Sequence, residues 1–89
     1  MFVNTSFLMY LYVISIGGII MLLVERLAEI RKRNKFSQAK IAEMLQIPQQ
    51  QYCRYENGQN EIPVRYVIKL CEIYGISADW LLGLKDTRE

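Results

Sequence analysis

From Phe7 to Val24 the chain reads FLMYLYVISIGGIIMLLV, 18 residues interrupted only by Ser15, Gly17 and Gly18, with no charged side chain anywhere in residues 1 to 24. An apolar run of that length is close to the minimum that crosses a bilayer as a helix. The pattern then changes. Leu23, Leu27 and Ile30 recur at helical spacing with charges between them, which predicts an amphipathic helix over Leu23 to Arg33 with one face for a core. Asn34 to Phe36 break this pattern, and Ser37 offers an N-cap whose oxygen can accept from the amide of Ala39 or Lys40. A second helix follows from Gln38 to Leu45. Ile41, Ala42 and Leu45 form its apolar stripe, and Ala42 is small enough to let a neighbouring helix approach closely.

Gln46 and Ile47 form a turn, and Pro48 suits the first turn of a third helix, where an amide donor is not needed. That helix carries QQQYCRYE and is expected to close at Asn57-Gly58, a pair suited to the left-handed conformation. A short turn between two short helices fits a helix-turn-helix. After a polar loop from Gln59 to Ile62, Pro63 is expected to start a fourth helix. Val64, Val67, Ile68, Cys71 and Tyr74 repeat along it at spacings of three and four up to a stop at Gly75, which predicts that this whole face is buried. Ser77 caps a last short helix, ADWLL, whose Trp80 and Leu81 add bulk to a small core. No strand pattern competes, so the prediction is an all-α bundle of five helices.

Length and composition narrow the chemistry. A chain of 89 residues makes one small domain at most. It has no His, which removes the commonest general base and the commonest metal ligand together. No catalytic residue, metal ligand or cofactor site is expected, and the chain does not read as an enzyme. Cys53 and Cys71 are too far apart for a C-x-x-C pattern, and two thiols cannot build a disulfide framework; they suit a reducing interior. A redox switch at Cys53, beside Arg54, has only one basic neighbour in its favour, and Cys71 falls on the apolar stripe of the fourth helix; both read as structural.

All 20 charged residues fall in 25 to 89, and they are unevenly placed. Arg31, Lys32, Arg33, Lys35, Lys40 and Arg54 face a single acid, Glu43, over residues 31 to 54, a net +5, whereas residues 55 to 89 carry −2. The positive end is the helix-turn-helix end. If it meets phosphates, each one neutralised steepens the fall of log affinity with log salt by about 0.9.

Residues 1 to 22 allow three readings. Residues 1 to 20 come from upstream sequence read in frame with a true start at Met21, or the segment anchors a membrane, or it adds a packed helix. The first is preferred because MLLVERLAEIRKR is by itself a sensible opening for an amphipathic helix. A cleaved signal peptide is not expected, since no Lys or Arg precedes the run and no A-x-A follows it. If the run does span a membrane, Arg26, Arg31, Lys32, Arg33 and Lys35 would hold the rest on the cytoplasmic side.

Read together, FSQAKIAEMLQIPQQQYCRYENG, the following IP, and KLCEIYGISADWLL closely resemble the phage repressor and Cro type of helix-turn-helix, also called the xenobiotic-response-element family. The resemblance covers residues 23 to 84 and leaves 85 to 89 as a tail. It implies a five-helix repressor-like domain that binds double-stranded operator DNA as a transcriptional regulator, commonly a repressor and commonly a two-fold dimer on a near-palindromic site. It places Gln49, Gln50 and Arg54, with Gln51 less directly, against base edges in the major groove. Gln offers paired hydrogen bonds to adenine N6 and N7, which supports that placement on chemical grounds alone, although a Gln run is also a common solvated face. Arg54 has two other options, a phosphate or an ion pair with Glu56 or Glu61. Gln38 resembles the residue that clamps a phosphate at the start of the second helix, and Arg31, Lys35, Lys40 and Asn57 are the further backbone-contact candidates. Tyr52 and Tyr55 sit where the family buries apolar side chains. Gln46 replaces the usual turn Gly, and Gln59, Asn60 and Glu61 stand where basic residues often meet the backbone, departures that weaken the loop contacts.

Relatives often pair through the last helix and the turn before it, which puts Trp80, Leu82 and Leu84 at a dimer interface, unless Trp80 and Leu81 complete the monomer core instead. A cytoplasmic location is expected. Two other functions fit the same residues, an antitoxin-like DNA-binding partner of a toxin and a membrane-anchored interaction module.

Overall fold

In the computed structural model, residues 21–86 are described. The expectations for residues 1 to 20 and for the end of the tail lie outside them. The described residues are helical from 21 to 33 (α1), then at Gln38–Leu45 (α2), Gln49–Glu56 (α3), Val64–Tyr74 (α4) and Ala78–Leu81 (α5). No strand occurs among the described residues, and none of their helices is long and apolar enough to cross a membrane.

Local chemistry explains most of the boundaries. Ser37 takes an extended conformation and its side chain accepts from the Lys40 amide at 3.0 Å, and Ser77 does the same for the Asp79 amide at 3.0 Å. Pro48 and Pro63 do not enter their helices as the first residues; each is the cap before one, with φ near −60° and ψ near 145°. Their carbonyls open the ladders instead, Pro48 accepting from Gln51 and Tyr52, Pro63 from Tyr66 and Val67.

The exits from α1 and α2 are less ordinary. Lys35 and Gln46 both sit at φ 59°, in the left-handed region that normally favours glycine. In both turns two amides reach back over the helix end: Phe36 to Arg31 O and Lys35 to Lys32 O after α1, Ile47 to Ala42 O and Gln46 to Glu43 O after α2. Those bonds satisfy the last carbonyls and hold two side-chain-bearing residues in a conformation costing about 1 kcal/mol each. At the end of α3 the expected left-handed pair is only half present. Asn57 has φ −98° and Gly58 alone is positive, at 81°.

The core is assembled from one stripe of each helix: Leu27 and Ile30, then Ile41, Ala42 and Leu45, then Tyr52 and Tyr55, then Val67 and Leu70, then Trp80 and Leu81, with Ile62 from the loop. The α1 end of the molecule is tied to the last turn by Arg26, which lies over the Trp80 ring at 4.8 Å and donates to the carbonyls of Trp80 and Lys85. Two sequence expectations fail here. Val64 and Ile68, assigned to the buried stripe of α4, are 72% and 54% exposed. Leu70 pulls the buried arc toward Val67, Leu70 and Tyr74, and at 3.6 residues per turn Val64 and Ile68 then fall on its outer edge. Trp80, placed at a dimer interface, is 3% exposed and belongs to the core; Leu82 is half-buried against that core, and Leu84 remains on the surface.

Candidate nucleic-acid interface

The eight residues of α3 divide by helical period. Tyr52, Tyr55 and Glu56 are buried, while Gln49, Gln50 and Arg54 are exposed and make no side-chain hydrogen bond or ion pair among the described residues. Gln50 and Arg54 are one turn apart and therefore share a face, with Gln49 beside them at the helix entry. Gln51 differs. It is half-buried and its amide donates to the Tyr55 hydroxyl at 2.8 Å, which ties one end of its amide to the protein.

A buried polar cluster holds α3 in place from behind. Arg31 Nε and NH2 donate to the two oxygens of Glu56 at 2.9 and 2.7 Å, a bidentate pair, and Arg31 NH1 donates to the Phe36 carbonyl at 2.8 Å. The two side chains are only 12% and 6% exposed. Burial pushes the Glu56 carboxyl upward, but the Arg31 hydrogen bonds and charge outweigh it and hold the group below the usual carboxylate range. The same hydrogen bonding raises the Arg31 guanidinium further above its ordinary value. The Tyr52 phenol is pushed upward by burial and then by the facing Glu56 charge, and its hydroxyl makes no hydrogen bond of standard geometry.

This cluster changes the roles expected of two residues. Arg31, a candidate phosphate contact, has its guanidinium committed to Glu56 and Phe36 and is not available on the surface. Arg54 pairs with neither Glu56 nor Glu61: it is exposed, whereas Glu56, two residues on and therefore on another side of the helix, is buried against Arg31. Gln38 is half-buried and its Nε2 lies 3.4 Å from Glu56 Oε1, so the side chain at the entry of α2 leans on the carboxylate at the exit of α3. Lys35 and Lys40 are exposed. Asn57 is exposed with its side-chain oxygen accepting from the Gln59 amide at 3.0 Å, which fixes the start of the loop. Glu56 was missed by sequence reasoning as a scaffold residue; a lone acid on the apolar side of a helix was the available signal.

Cys53 and Cys71 are both free and half-buried, and burial pushes the Cys71 thiol up, away from reactivity. The surface thus combines an uncommitted Gln-Gln-Arg set, two free lysines from the preceding segments, and a rigid support. Such a set can donate and accept at base edges while cations meet phosphates.

A family model described as Helix-turn-helix domain matches residues 24–87. An uncharacterized HTH-type transcriptional regulator of Bacillus subtilis (strain 168), YobD, is 32% identical over 62 residues, covering 70% of this chain and 55% of that protein. A second protein of the same organism, the SPbeta prophage-derived uncharacterized HTH-type transcriptional regulator YonR, is 40% identical over 58 residues, covering 65% of this chain and 54% of its own length. The chain spans about half the length of these curated relatives. No solved structure matches it.

Proposed function

The chain belongs to the Helix-turn-helix domain family, and on that premise we propose that it is a sequence-specific, double-stranded-DNA-binding transcriptional regulator of the phage repressor and Cro type, acting as a repressor by occupying a near-palindromic site in the cytoplasm. In this reading α3 lies in the major groove. Gln49, Gln50 and Arg54 touch base edges, with Gln51 in a lesser part since its amide is shared with Tyr55. Lys35, Lys40, Gln38 and Asn57 face the phosphates. Arg31 moves from the phosphate set to the scaffold. Two copies bind together, and their recognition helices lie about 34 Å apart.

One observation supports this most directly: the exposed face of α3 carries hydrogen-bonding side chains with no internal partner among the described residues, on a helix whose opposite face is buried.

The test is binding-site selection from genomic DNA with the chain and with a variant carrying Gln49→Ala, Gln50→Ala and Arg54→Ala. Sequence preference is expected to collapse in the variant while helicity by circular dichroism survives. An unchanged preference removes the assignment.

A further inference from the structure

Arg65 and Tyr66 each stand one turn before Lys69 on α4, so the three share one side of that helix. Opposite them α2 ends, and the left-handed turn at Gln46 carries the chain away toward α3. Between the two elements lies a cleft of about 290 Å³, lined by Met44, Leu45, Gln46, Arg65, Tyr66 and Lys69. Leu45 is buried and Met44 and Tyr66 are half-buried, so the base of the cleft is apolar; Gln46, Arg65 and Lys69 are exposed and form its rim. The Arg65 guanidinium lies over the Tyr66 ring at 4.6 Å and donates to the Tyr66 hydroxyl at 3.4 Å, which folds its charge back beside the cleft. Neither Arg65 nor Lys69 has an ion-pair partner among the described residues. The acids nearest along these two helices, Glu43 and Glu72, line no part of the cleft.

We propose that this cleft is a docking site for a short acidic segment of another protein. An apolar side chain of that segment enters against Met44, Leu45 and Tyr66, and carboxylates flanking it meet Arg65 and Lys69. Charge complementarity sets the sign of the occupant, since two cations one turn apart have no carboxylate of their own chain to answer them. Shape sets its kind. The cleft is open to solvent and lies at the lower edge of the roughly 300 to 1,000 Å³ that small-molecule sites occupy, so it does not enclose a free ligand. A side chain carried on a partner's own backbone needs no enclosure. A duplex is the other candidate polyanion, and the apolar base disfavours it, because a phosphate strand has no side chain to set against Met44 and Leu45. The Tyr66 ring holds the Arg65 guanidinium flat at the rim, ready to receive a carboxylate with little further ordering.

The inference goes beyond the DNA reading and does not depend on it, because the cleft uses no side chain assigned to the duplex. The probe is a set of synthetic decapeptides in which one leucine, phenylalanine or tryptophan is flanked on each side by two aspartates, with a matching set that carries lysines instead. Each is titrated into the full chain and followed by its amide proton–nitrogen spectrum. The aspartate set is expected to saturate below about 5 mM, with shifts concentrated at Met44, Gln46, Tyr66 and Lys69. Arg65→Glu and Lys69→Glu should each weaken this binding about tenfold, and the two together should turn the preference toward the lysine set. Both positions are exposed, and circular dichroism checks that the fold survives. No saturation by any aspartate peptide, equal binding of the lysine set, or shifts indifferent to the reversals would overturn the proposal. So would a salt slope on random duplex DNA that falls by about 0.9 in Lys69→Ala, since Lys69 would then be meeting a phosphate.

Discussion

The inner and outer faces of α3 are made from the same eight residues and obey opposite rules. On the inner face Tyr52 is fully buried, Tyr55 nearly so, and Glu56 is locked by two hydrogen bonds from a residue 25 positions away. On the outer face Gln49, Gln50 and Arg54 make no side-chain contact of that kind among the described residues. The contrast separates side chains that hold the fold from those that the proposed function sets against DNA. A residue with internal partners cannot change without cost to the fold, while one with none is free to take whatever the binding partner demands.

The strongest way to break this division is to remove Arg31. Arg31→Ala leaves the Glu56 carboxylate buried without its cation, and a loss of about 3 kcal/mol or more is expected. For a domain of this size that is roughly 12 to 24 °C of melting temperature, close to the whole stability of a small fold. DNA binding should vanish with it. The double change Arg31→Met, Glu56→Leu should recover most of the stability, because replacing both charges by apolar groups removes the unpaired ion along with the bond. Thermal denaturation of the two variants decides the matter; equal losses would mean that the pair contributes through more than its charge.

Protonation breaks the same bond more gently. The folded carboxyl of Glu56 titrates below its ordinary value, so its contribution is complete above the usual carboxylate range and disappears as pH falls through the lowered folded value. Melting temperature should therefore hold near neutrality and fall in acid, and Glu56→Gln, though less stable throughout, should show a flatter acid limb.

Single changes on the outer face come next in size. Gln50→Ala should cost about 1 to 3 kcal/mol of affinity for the selected site, concentrated at one base pair, with a melting temperature within measurement of the native chain. A shift in both quantities would show that the two faces are coupled.

How far each face could be read in advance follows from the range of the interactions. Ser37 and Ser77 were legible as caps because their partners lie three and two residues away. The Gln-Gln-Arg set was singled out by the resemblance, since by residue type alone a Gln run fits a solvated face equally well. The Arg31–Glu56 pair was not legible, since nothing local distinguishes Arg31 from Arg33, which meets only Glu29 at 3.8 Å on the surface. Val64 and Ile68 misled for a related reason: periodicity reveals an apolar stripe but not what covers it. The left-handed turn at Lys35 carried no glycine to announce it, and at Gln46 the only signal was the resemblance, which places a turn Gly there.

Gln46 offers a milder probe, because it sits between α2 and α3 and belongs to neither face. Its φ of 59° is one that glycine adopts without strain. Gln46→Gly relieves about 1 kcal/mol of left-handed strain but adds freedom to the unfolded chain that costs about 0.4 kcal/mol or more, so a gain of at most about 0.6 kcal/mol is expected. It should raise the melting temperature by at most a few degrees and leave sequence preference alone. A change in preference would show that the turn sets the angle of α3.

The smallest effect is expected at Lys40. Its side chain is exposed on α2, whose opposite stripe of Ile41, Ala42 and Leu45 is buried, so α2 repeats the division seen in α3 with charge in place of amides. A lysine that meets a phosphate releases a counterion whatever the base sequence. Lys40→Ala should then weaken binding to all sequences alike and reduce the slope of log affinity against log salt by about 0.9. Titrations at several salt concentrations, on the selected site and on random DNA, measure both quantities. Gln50→Ala should do the reverse, lowering preference with the slope intact, because an uncharged amide displaces no ion. If Lys40→Ala instead altered preference and spared the slope, the outer surface would not divide into positioning and reading residues, and its uncommitted side chains would have to be explained by something other than a duplex.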